Sequence, residues 1–137
     1  MQKFLKTIIL IFAFVTIGCL FFLSSRTIFP NGEKREIYLS DNSSSCRILF
    51  LKNEAICFSK VGESVTITCE EISPLEILDN FNAELVKIEE TEEGISYYAF
   101  SKEIKYCRKL FGRKVNLHIF AKEGEIKIGS PIIYGSY

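Results

Sequence analysis

The pattern of apolar and polar positions divides the chain into one long apolar run and a succession of short, punctuated segments. Residues 7–23, Thr7-Ile-Ile-Leu-Ile-Phe-Ala-Phe-Val-Thr-Ile-Gly-Cys-Leu-Phe-Phe-Leu23, carry no charge and no periodic polar face. At about 1.5 Å per residue such a run is just long enough to cross a hydrocarbon core of roughly 30 Å, so it predicts a transmembrane helix. Lys3 and Lys6 precede it and favour an N-terminus left inside, although Arg26, Lys34 and Arg35 follow it and blunt that argument. Three fates fit the segment: an uncleaved anchor, a cleaved signal peptide, or a lipoprotein cut before Cys19. No small residues sit well placed for cleavage after Leu23, and Leu20-Phe-Phe-Leu23 is strongly apolar where lipoproteins turn polar. The anchor needs no special residue and is the leading expectation.

Beyond the linker 24–35, which ends in the turn signal Pro30-Asn31-Gly32, the chain reads as short strands. Glu36–Ser40, Cys46–Leu51, Ala55–Lys60 and Ser64–Glu70 form an expected meander, with Val65, Ile67 and Cys69 on one face of the last. Ser73-Pro74-Leu75-Glu76 is a capping box with proline at the first helical position, which predicts a short helix from Pro74 to Asn82. Glu84–Glu90 and Ile95–Ser101 read as a hairpin. Ser101 then caps an expected second short helix with Ile104, Cys107 and Phe111 inward and Gly112 past its end. Lys114–Ala121 and Glu125–Ile128 make a last hairpin, and Ser130-Pro131 bends the chain before Ile132–Tyr134. The expectation is an α+β fold: an N-terminal transmembrane helix, then one domain over 36–137 with a mainly antiparallel sheet and one or two short helices.

Composition narrows the function classes. Seventeen basic and seventeen acidic residues cancel, so the chain has no charge excess that would attract nucleic acid, and no nucleic-acid partner is expected. Of the five cysteines, Cys46, Cys57, Cys69 and Cys107 lie outside the apolar run and none forms a Cys-x-x-Cys pair, so neither a metal nor another cofactor is expected. Cys57 and Cys69 fall opposite one another if the meander turns at Glu63. An exported location would permit a disulfide between them, against the reading that each cysteine only fills core space. The lone histidine, His118, alternates with Leu117 and Ile119 on a strand, a pattern typical of a structural residue rather than a base. Glu84, Glu89, Glu90, Glu92 and Glu93 gather around a hairpin tip, where carboxylates are normally solvated. Lys102, Lys105, Arg108, Lys109, Arg113 and Lys114 make a basic stretch that can dock an acidic partner or an anionic wall polymer.

The last third has a more individual pattern: Ile95-Ser-Tyr-Tyr-Ala-Phe-Ser101, Asn116-Leu117, Ala121, Gly129-Ser130-Pro131-Ile132 and Tyr137. It resembles the C-terminal part of the YwmB family of exported proteins from spore-forming Gram-positive bacteria, over about 45 residues. The chain is little more than half the usual length of that family. The resemblance implies a fold of TATA-box-binding-like shape without DNA binding, and an envelope protein tied to sporulation with no established catalytic residues. The expected function is therefore a non-enzymatic, membrane-anchored domain outside the cytoplasm, or a secreted one if the segment is cleaved, that binds or organises an envelope component. The alternative is a small envelope enzyme using Cys107 with His118, or a carboxylate pair near the acidic hairpin.

Overall fold

A computed structural model describes residues 2–24, 28–29, 32–39, 48–51, 60–68 and 72–134; side chains of the N-terminal helix are described for residues 4–20. Helix α1 spans Gln2–Ser24. Every described side chain on it is exposed, including Phe12, Phe14 and Leu20 at 60–80 %. The expectation of a transmembrane span is met only as far as a helix. Among the described residues no helix is long and apolar enough to cross a membrane.

The domain is α+β with a seven-stranded, wholly antiparallel sheet. Its strands are β1 (Lys34–Tyr38), β2 (Ile48–Leu51), β3 (Gly62–Ile67), β4 (Ala83–Thr91), β5 (Gly94–Ser101), β8 (Leu117–Lys122) and β9 (Glu125–Ser130), in the order β2-β1-β3-β9-β8-β5-β4. The expected meander is rearranged. β1 is central to its group, pairing Arg35 with Val65 of β3 on one side and with Leu51 of β2 on the other. The strand expected over Ala55–Lys60 lies outside the described residues except at Lys60, as do Cys46, Cys57 and Cys69 with their candidate disulfide. β9 joins the two halves by pairing with both β3 and β8. It is an interior strand, and Pro131 follows it, so the proline removes no ladder donor from within it.

Helix α2 (Pro74–Asn80) forms where the capping box predicts. Ser73 Oγ accepts from the Glu76 amide at 3.2 Å, and the Ser73 amide donates to Glu76 Oε2 at 2.9 Å. Ile77 and Leu78 pack on one face of the sheet against Val65, Ala99, Leu117, Ile119, Ile126 and Ile128. Burying such aliphatic side chains is worth about 1.5–3 kcal/mol each and supplies most of the driving force for this layer.

The second expected helix is absent. Residues 104–107 are irregular, and Arg108–Leu110 (β6) pairs with Arg113–Val115 (β7) in a separate two-stranded sheet. Ser101 does behave as a cap, its Oγ accepting from the Glu103 amide at 3.1 Å, but no helix propagates from it. The reason lies at Phe111-Gly112. Both have positive φ, 53° and 74°, the geometry of a two-residue type I′ hairpin turn. Asn116 separates β7 from β8. It is fully buried and ties the preceding irregular segment down: Nδ2 donates to Ser101 O and Ile104 O, and Oδ1 accepts from the Ser101 amide. Gly129 is required by close approach, since a Cβ there would sit 2.6 Å from Ile133 Cγ1.

Candidate functional site

Strand alternation puts the apolar residues against α2 and turns Glu36, Tyr38, Ser64, Tyr98, His118, Phe120 and Lys127 to the opposite face. That face is polar but largely buried. Glu36 Oε2 receives Lys127 Nζ at 2.8 Å and the Ser64 hydroxyl at 3.3 Å, while Tyr38 Oη donates to Ser64 Oγ at 2.8 Å. Lys34, Thr66, Phe120 and Lys127 contribute to an open groove of about 380 Å³ above this cluster. Its lining mixes three lysines with three glutamates (Glu33, Glu36 and Glu125), so it has no dominant sign of charge.

His118, 1 % exposed, stacks on Tyr98 with centroids 4.4 Å apart. Its Nδ1 accepts from the Ile133 amide at 3.1 Å and so pins the segment after β9. Burial is the largest influence on the imidazole and pushes its pKa down to about 4; Glu89 pulls upward and Lys127 downward. A ring held neutral with Nδ1 on a backbone amide does structural work. Cys107, by contrast, is exposed. It lines a recess of about 240 Å³ with Lys60, Tyr106, Arg108, Pro131 and Tyr134.

The acidic residues do not converge. Glu84, Glu90, Glu92 and Glu93 are exposed, and Glu89 pairs with Lys87, which holds its carboxyl below the usual range. Among the described residues no three potential metal ligands come together. The basic residues do form one feature. Arg108, Lys109, Arg113 and Lys114 lie on the β6–β7 hairpin, with Lys102 and Lys105 in the segment leading to it, and all six are exposed. Lys109 stands directly across from Lys114. The hairpin tip folds back on the polar face, where Phe111 meets Tyr98 edge-on at 5.1 Å and Lys87 Nζ lies 4.1 Å from the Phe111 centroid. Arg108 donates to Tyr134 Oη at 2.9 Å.

Sequence reasoning missed the most deeply buried charge. Glu63 is 0 % exposed on the α2 side of β3. Its Oε1 accepts the Ile28 and Phe29 amides at 2.6 and 2.9 Å, and its Oε2 meets Lys60 Nζ at 2.6 Å. Arg35 approaches Oε1 at 3.6 Å and donates to Phe29 O at 2.6 Å. The segment following α1 is thereby fastened into the domain, with Phe29 in the core. Only the adjacency of charges in Lys34-Arg-Glu36 hinted that this strand has occupied surfaces on both sides.

No protein-family model, curated protein or solved structure matches the chain.

Proposed function

We propose that the protein is a membrane-anchored, non-enzymatic domain outside the cytoplasm that docks an envelope component through its basic hairpin. The observation that carries this reading is α1. It runs 23 residues, about 34 Å, and its side chains from Ile8 to Leu20 are apolar apart from Thr16 and exposed on all sides. A helix hydrophobic all round belongs inside a large core or a bilayer. Thr16, its polar residue in mid-run, bonds back to Phe12 O and Ala13 O at 2.9 Å, which satisfies its hydroxyl within the helix as lipid requires.

Lys3 and Lys6 at its start favour the orientation with the domain outside, Arg26, Lys34 and Arg35 after it oppose it, and the YwmB resemblance points to the outside and to a role in sporulation. The enzyme alternative draws less support, because His118 is sealed while Cys107 lies in solvent, and the acidic side chains are spread along an exposed hairpin.

Protease treatment of intact cells stripped of their wall tests the reading. Digestion of the domain with a cytoplasmic control intact is the expected result. Protection until lysis would refute the exported orientation.

A further inference from the structure

We propose that the basic segment Lys102–Lys114 rests on the anionic phospholipid surface of the membrane that holds α1, so that the domain is attached at two points. This rests on the anchor reading above and adds to it an orientation and a ligand, the phosphate-bearing lipid headgroup.

The first argument is the length of the tether. α1 ends at Ser24, and by Ile28 the chain is already bonded to Glu63. Four residue steps reach at most about 14 Å, so the sheet sits close against the bilayer and not on a long stalk. The second is position. Glu63 Oε1 holds the Ile28 and Phe29 amides, and its Oε2 holds Lys60 Nζ. Lys60 lines the same recess as Tyr106, Cys107 and Arg108. The basic segment therefore passes the point where the tether enters the domain, at the end facing the membrane.

The third is charge. Six cations and one acid, Glu103, fall between Lys102 and Lys114. Among the described residues Lys102, Lys105, Lys109, Arg113 and Lys114 have no salt-bridge partner. Lys109 directly across from Lys114 is a like-charge pair that destabilises an isolated hairpin and is relieved by an anion between the two. The fourth is the aromatic content. Tyr106 and Phe111, 39 % and 48 % exposed, are interleaved with these cations, the mixture that settles at headgroup level. Each cation near an anionic leaflet is worth roughly a fivefold gain in partition.

The full chain is reconstituted into nanodiscs of phosphatidylcholine alone, or with about a third phosphatidylglycerol, at about 0.1 M salt. Tryptic cleavage within Lys102–Lys114 is compared with cleavage after exposed Lys122. The expected result is at least a roughly tenfold slowing on the anionic discs only. It should be reversed at about 1 M salt and weakened by Lys109→Gln with Lys114→Gln. Equal cleavage on both discs, with the chain still co-eluting with them, overturns the proposal and leaves the anchor intact. Failure to co-elute with either disc strikes the anchor reading itself. Equal protection on neutral discs by soluble poly(glycerol phosphate) would assign the patch to a phosphate polymer and overturn the lipid assignment.

Discussion

Acid titration of His118 offers the sharpest test of the buried polar face. In the unfolded chain its pKa is near 6.5, and in the folded domain burial holds it at about 4. The folded value is the lower one, so between these limits the unfolded chain binds more protons and stability rises with pH. The contribution is fully present above pH 6.5 and fades as pH falls toward 4. The whole shift corresponds to about 3 kcal/mol, of which about 2 kcal/mol disappears between pH 7 and pH 5. Glu89, whose carboxyl is held low by Lys87, begins to lose its ion pair only below its ordinary 4.5, so between pH 5 and 7 its pairing does not compete with the imidazole. His118→Asn is the matching perturbation, because Asn Oδ1 can accept from the Ile133 amide where Nδ1 does, without titrating. Urea denaturation of the full chain in non-ionic detergent should show the wild-type midpoint falling by about 1–2 M from pH 7 to pH 5 and the variant midpoint nearly level. Parallel wild-type and variant curves would refute the reasoning.

The other predictions concern single residues. Glu63→Ala strands the Arg35 charge and two backbone amides and removes the Lys60 ion pair, and should cost about 3–5 kcal/mol in urea unfolding while speeding tryptic cleavage at Arg26. A loss under about 1 kcal/mol would mean that water replaces the carboxylate. Asn116→Ala removes three buried hydrogen bonds and should cost about 2–4 kcal/mol, with amide exchange rising over residues 101–107. Gly129→Ala drives a Cβ onto Ile133 and should cost about 1–3 kcal/mol by thermal unfolding. Gly112→Ala meets no neighbour, and only its φ of 74° opposes it, so about 1 kcal/mol is expected.

What was legible in the sequence was local. The capping box at Ser73, the β4–β5 turn at Glu92-Glu93 and the β8–β9 turn at Gly124 are written in neighbouring residues and form as expected. The second helix failed because Ser101 and Gly112 are equally good punctuation for a helix and for a loop followed by a type I′ turn. Packing of Phe111 on Tyr98 favours the hairpin, and no periodicity reports that contact. The pairing of β9 with β3 joins residues 59 to 67 positions apart, and nothing local encodes it. The basic residues were found as a cluster but placed on the wrong element. Arg35 was read as the end of a linker, Glu36 as the start of a strand and Glu63 as a turn centre, because a buried charge looks like a surface charge until its partner is known.

Those charges explain the register of the N-terminal strands better than the apolar residues do. Adjacent residues of β1 point to opposite faces, Arg35 to Glu63 and Phe29 O, Glu36 to Ser64 and Lys127. A slip of one residue would send Arg35 into the Lys127 side and Glu36 toward Glu63, placing like charges together on both faces. Apolar side chains penalise such a slip weakly here, because both faces are covered. Buried ion pairs add little net stability compared with well-packed hydrophobes, so specificity is the better account of their presence. The same carboxylate that sets the register also receives the chain arriving from α1. Strand alignment and the fastening of the tether are therefore one interaction, and Glu63→Ala should disturb both together.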